Sequence, residues 1–118
     1  MLDDFLSREF PPAVPLVGGL IGRGERVIIA GDPNVGKSWC ALDMALAIAS
    51  GKPWLDTFET TAGPVLWIDE ESSEREVQAR IRMLARANPI ASGIPFGVAV
   101  GRGIRLDDQQ RWAVLDAM

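Results

Sequence analysis

Gly31 to Ser38 read GDPNVGKS, and this octapeptide decides the reading of the chain. It satisfies G-x-x-x-x-G-K-[S/T] at every fixed position, a match expected by chance in roughly one chain in a few hundred of this length. The flanks fit the same reading. Arg26 to Ala30, RVIIA, is a short β-branched run leading into the octapeptide, and Ser38 to Ser50, SWCALDMALAIAS, is an apolar, Ala-rich helical stretch leading out. Strand, glycine loop and helix in that order form a cradle for a phosphate chain. Successive backbone N–H groups and the helix N-terminus supply donors and positive partial charge. Gly31 and Gly36 let the backbone turn tightly and approach the phosphates. Lys37 reaches the β- and γ-phosphates, and the Ser38 hydroxyl helps hold Mg²⁺. Asp32, Pro33 and Asn34 shape the crown of the loop, although Pro33 offers no N–H, and Val35 completes the binding stretch. Trp39 follows directly and reads as packing more than as base stacking. The expected ligand set is therefore Gly31 to Trp39.

The rest of the composition bounds what else this chain does. It has 118 residues, enough for one domain. Apolar residues make up 47%, which suits a globular core, and no apolar run approaches the length of a membrane span. The opening MLDDFLSREF is acidic and mixed, unlike a secretory signal. A single cysteine, Cys40, excludes an internal disulfide framework, suits a reducing cytoplasm and reads as a small core residue on the helix. With no histidine there is no imidazole metal site and no Ser-His triad. The net charge of −4 argues against a generally basic nucleic-acid surface in this segment.

The remaining pattern alternates strands and helices, with no internal repeat. Residues 1–25 read as a lead-in: Pro11 to Pro15 (PPAVP) resists regular structure, and Gly18 to Glu25 is a flexible approach. The first long helix ends at Ser50, with Gly51 as its left-handed cap and Pro53 just beyond. A connection of about ten residues follows, Trp54 to Gly63. Val65 to Asp69, VLWID, is apolar nearly throughout, as a strand buried on both faces should be. Ser73 and Glu76 form a capping-box pattern for a helix whose core stripe is Val77, Ile81 and Leu84. Arg75, Arg82 and Arg86 lie largely off that stripe, and Asn88-Pro89 ends the helix. Pro95 to Val100 is a third strand, and Asp107 with Gln110 opens a last helix over 109–118. Arg102 and Arg105 read as surface charge near the same sheet edge. The fold class is thus α/β, a parallel sheet with flanking helices and a phosphate site at the C-terminal strand edge.

Two resemblances compete for the loop. GDPNVGKS alone is similar to the first motif of Era-like GTPases, but there the next core strand runs into D-x-x-G, and here it runs into Asp69-Glu70-Glu71-Ser72. From about Val17 onward the chain resembles RecA-like P-loop ATPases of the AAA-domain group that includes RepA-type hexameric replicative helicases. The pieces are Gly24-Glu25, the loop, Gly51-Lys52-Pro53-Trp54, Val65-Leu66-Trp67-Ile68 with Glu71, and Arg80-Ile81 with Leu84. The group often has Glu-Asp where this chain has Glu71-Ser72.

That resemblance implies Mg-ATP hydrolysis, with Glu71 polarising the attacking water and Glu70 as its rival. It implies a homo-oligomeric ring with an arginine finger from a neighbour, and DNA replication or recombination as the setting. It also implies a partition into a lead-in, 1–25, and the N-terminal part of a RecA-like ATPase domain, 26–118. DNA contacts and a further apolar strand ending in Asp are then expected beyond Met118. The alternatives are a GTPase switch and a catalytically inactive nucleotide-binding fragment.

Overall fold

The computed structural model describes residues 1–12, 14–32, 36–101 and 103. The elements run α1 (Leu2–Leu6), β1 (Pro15–Val17), β2 (Ile21–Gly22), α2 (Lys37–Ser50), β3 (Val65–Asp69), α3 (Glu74–Ala87) and β4 (Phe96–Val100). The expected last helix, its Asp107–Gln110 cap, Arg102 and Arg105 lie outside the described residues.

The β3–α3–β4 unit is the α/β kernel. β3 and β4 pair in parallel, from Val65 opposite Phe96 to Asp69 opposite Val100 without a break in register. A parallel pair needs a crossover, and α3 supplies it. Gly97 allows the approach of the two strands' side chains, since a Cβ there would sit 3.3 Å from Leu66 Cδ1.

Capping explains the bounds of the crossover helix. Ser73 is the N-cap, and its side chain accepts from the Glu76 N–H at 3.1 Å. The extended Asn88 before Pro89 ends the helix. Val77 is buried, and Ile81 and Leu84 are half-buried, while Arg75, Arg82 and Arg86 are exposed, as the periodicity predicts. Ser73→Ala removes one acceptor for an otherwise orphan amide. It is expected to cost about 1 kcal/mol, read as a lower denaturant midpoint with an unchanged slope.

α2 is apolar all round because it is covered on more than one side. Leu42, Leu46 and Ala49 recur at i, i+4, i+7, and all three are buried. Met44, Ala47 and Ile48 occupy the opposite side and pack with Val17, Ile21, Trp54 and Phe58. The helix contacts both β3 and α3. Gly51, at φ 69°, closes it in the left-handed conformation, and Lys52 N–H bonds back to Ala47 O at 3.1 Å.

Residues 14–25, expected to be irregular, form an antiparallel β1–β2 ribbon, and Val17 is fully buried. The connection after α2 is ordered against it. Gly18 N–H donates to Glu59 O at 2.7 Å and Thr61 N–H to Leu16 O at 2.9 Å. Trp54 and Phe58 exchange backbone hydrogen bonds around a turn in which Leu55 and Asp56 take positive φ. The Pro and Gly content that suggested a flexible approach instead makes turns, and Val17 and Trp54 bury themselves on α2.

Three expectations are corrected. Arg26 to Ala30 pairs with no strand among the described residues, and Val27, Ile28 and Ile29 are exposed by 51, 90 and 43%. A lone strand leaves its backbone groups unpaired and is not stable by itself. β3 pairs with β4 in a two-stranded sheet. VLWID is not covered on both faces: Leu66 is exposed and its neighbours are only half-buried. Cys40 is exposed, not a core residue, because it lies in the first turn of α2 ahead of the buried stripe that starts at Leu42.

Candidate functional site

The site is built from the start of α2 and the turn after β3. Gly36 is the N-cap of α2 at φ 86°, a left-handed conformation that side-chain-bearing residues rarely adopt. Among the described residues no side chain caps this helix, and no carboxylate sits in its first turn. The first amides of α2 thus keep their hydrogen-bonding capacity, with the positive end of the helix dipole behind them. The helix ladder begins where Cys40 N–H meets Gly36 O at 2.9 Å. The Lys37 ammonium folds back on the loop and donates to the Gly31 carbonyl. Gly31, Asp32 and Ser38 are exposed, and Pro33, Asn34 and Val35 lie outside the described residues.

The second half is the turn Asp69 to Ser73. Asp69 Oδ1 accepts from Glu71 N–H at 3.0 Å and Ser72 N–H at 2.8 Å, which folds the chain sharply at the end of β3. Partial burial acts to raise the Asp69 pKa, but the hydrogen bonds from Ser72 and Glu71 together outweigh it and hold the carboxyl below its ordinary value. Trp67 adds only weakly, since its buried Nε1 finds no hydrogen-bond partner among the described residues. A carboxyl with a depressed native pKa stabilises the fold fully above the ordinary carboxylate value, about 4. That contribution is lost as pH falls through the native value. Asp69→Asn is therefore expected to flatten the acid limb of the unfolding midpoint plotted against pH below about 4; an unaltered limb counts against this account.

The two glutamates of the turn are placed differently. Glu70 Oε2 accepts from Gly103 N–H at 3.0 Å, tying the end of β3 to the chain beyond β4. Glu71 is exposed. Lys37 and Glu71 are not ion-paired with each other among the described residues.

Arg80, on α3, joins the two halves. Its Nη1 donates to Ser72 Oγ at 3.3 Å, its Nη2 lies 3.9 Å from Glu76 Oε2, and its guanidinium sits 5.9 Å from the centroid of the Trp39 ring. Trp39, 36% exposed, is thus held by a cation–π contact and does not belong to the apolar core. In the sequence Arg80 stands out only within a family pattern. The spacing of Ser72, Glu76 and Arg80, four residues apart each time, was the available signal that they share one side of α3 and its entry.

The comparison with protein families settles what this loop-and-helix arrangement belongs to. A family model described as AAA domain matches residues 1–117. The chain belongs to the AAA domain family. This AAA domain is a RecA-like P-loop NTPase, and nucleotide binding is implied by membership. The match includes residues 1–25 as well as the loop. No curated protein and no solved structure matches the chain. Among the described residues no helix is long and apolar enough to cross a membrane, and no group of three or more carboxylate or cysteine side chains is assembled to hold a metal.

Proposed function

We propose that this AAA domain binds Mg-ATP through Gly31 to Trp39 and hydrolyses it, with Glu71 orienting the attacking water. The observation that carries the reading is the start of α2, uncapped among the described residues, behind a left-handed Gly36, with the Lys37 ammonium turned back to the Gly31 carbonyl. Helix-start amides with an ammonium beside them suit a polyphosphate. Bound nucleotide supplies the γ-phosphorus, and Mg²⁺ neutralises the phosphate charge. The Ser38 hydroxyl would supply one protein ligand to the ion, which keeps several waters in such sites. Lys37 exchanges the Gly31 carbonyl for phosphate oxygens. Glu71, an exposed carboxylate, is available to accept a hydrogen bond from water, while Glu70 is engaged by Gly103.

The wider setting rests on the resemblance to RepA-type helicases: a homo-oligomeric ring, an arginine finger from the adjacent subunit, and work on DNA in replication or recombination. The decisive experiment is calorimetric titration of the intact protein and its Lys37→Ala variant with Mg-ATP and, in parallel, Mg-GTP. ATP preference with Lys37-dependent binding supports the reading. GTP preference transfers it to a GTPase switch, and absence of binding overturns it.

A further inference from the structure

The contacts of Arg80 have a use that the phosphate loop alone does not explain. Trp39 stands one residue after Ser38, in the first turn of α2. Ser72 stands one residue after Glu71, in the turn that closes β3. These two places are far apart in sequence and belong to different elements. A single guanidinium touches both, donating to Ser72 Oγ at 3.3 Å while lying over Trp39 at 5.9 Å. Glu76, one helical turn earlier on α3, lies on the same guanidinium at 3.9 Å and helps restrict where it points. The Arg80 side chain is only 27% exposed, so this is not a freely solvated surface charge. Asp69 completes the arrangement by accepting from the amides of Glu71 and Ser72.

We propose that Arg80 is a positioning residue, which fixes the Glu71 turn against the first turn of α2 and so sets where the Glu71 carboxylate stands relative to the phosphate loop. The inference rests on the assignment of Glu71 to water orientation. Arg80 touches neither the loop amides nor Lys37 in the described contacts, so it acts through Ser72 and Trp39. A planar guanidinium is suited to the task, because it donates in its plane and stacks on its face at the same time. Lysine offers a point charge and does only part of this. Hydrolysis is sensitive to such placement: a displacement of about 1 Å in a reacting geometry costs on the order of 10²-fold in rate. Binding of the phosphates by the loop has no such dependence on the Glu71 turn.

The test uses the intact protein and four variants: Arg80→Gln, Arg80→Lys, Glu71→Gln, and Arg80→Gln combined with Glu71→Gln. Steady-state Mg-ATP hydrolysis and calorimetric Mg-ATP affinity are measured for each. Arg80→Gln is expected to lower kcat by about 10²-fold with affinity and KM nearly unchanged. Arg80→Lys is expected to recover part of the loss, and the double variant to be no slower than Glu71→Gln alone, because both changes remove the same function. Equal losses in affinity and kcat would mean a general structural role and overturn the proposal, as would an additional, multiplicative loss in the double variant. Wild-type binding and turnover with Arg80→Gln fully active refute the positioning role alone. A wild-type protein that binds Mg-ATP without turning it over refutes the hydrolytic reading, and this inference falls with it.

Discussion

Lys37→Ala is expected to remove measurable Mg-nucleotide binding. The Lys37 ammonium is exposed on the loop side of α2, and the carbonyl of Gly31 is its partner among the described residues. Exchanging that neutral acceptor for anionic phosphate oxygens replaces an ordinary hydrogen bond by a charge-assisted one. A hydrogen bond to a charged group contributes up to about 3 kcal/mol, which corresponds to roughly 10²-fold in affinity. The loop amides and the α2 dipole remain in the variant, but they face a polyphosphate without the one cation that the motif provides. The fold should tolerate the change, since Lys37 fills no core position and alanine is a better helix former. The measurement is calorimetric titration with Mg-ATP at fixed salt, alongside a thermal unfolding control. Affinity within threefold of wild type, with the fold intact, rules out the assigned role of Lys37.

Glu71→Gln is expected to leave Mg-ATP affinity nearly unchanged and to reduce turnover by about 10²- to 10⁴-fold, the range for removing a positioned general base. Glutamine keeps the size of the side chain and one acceptor oxygen but loses the charge that polarises water. The neighbouring Glu70 is the natural control. Its carboxylate is engaged by the Gly103 amide at 3.0 Å, and glutamine retains an oxygen able to accept that bond. Glu70→Gln should therefore be mild. Single-turnover hydrolysis separates the chemical step from product release. If Glu70→Gln kills turnover and Glu71→Gln does not, the catalytic register is off by one residue.

Local signals in the sequence were accurate where the physics is local. Gly51 caps α2 in the left-handed conformation, and Ser73 caps α3 through Glu76 N–H. Asn88-Pro89 ends α3, and the runs at 65–69 and 96–100 are strands. Each of these depends on a few neighbouring residues, on steric limits or on one hydrogen bond. The octapeptide likewise pointed to a nucleotide-binding family before any contact was known, and the AAA domain match covers it.

Non-local pairing was not legible. The β-branched run 26–30 looks more like a strand than Pro15–Val17 does. Yet among the described residues the first is unpaired and exposed, and the second is in a ribbon with Val17 buried. Strand propensity describes a residue's fit to a pleated, half-buried surface, and which surface is offered depends on the rest of the chain. Cys40 shows the same limit on a helix: an apolar stretch does not tell which of its first residues reach the core. The Arg80 bracket was hidden for the related reason that it joins residues 39, 72 and 80 across three elements.

By itself the sequence determined the family, the two long helices with their caps, and the parallel-strand class, because these follow from short-range sterics, periodicity and a motif of fixed spacing, and it supplied the octapeptide on which the proposed phosphate site rests. Only the tertiary structure decided that β3 pairs with β4, that the N-terminal ribbon is packed on α2, and that Arg80 stands between Trp39 and the Glu71 turn. Those arrangements depend on which surfaces remain to be buried once the elements exist, and that is a property of the whole chain.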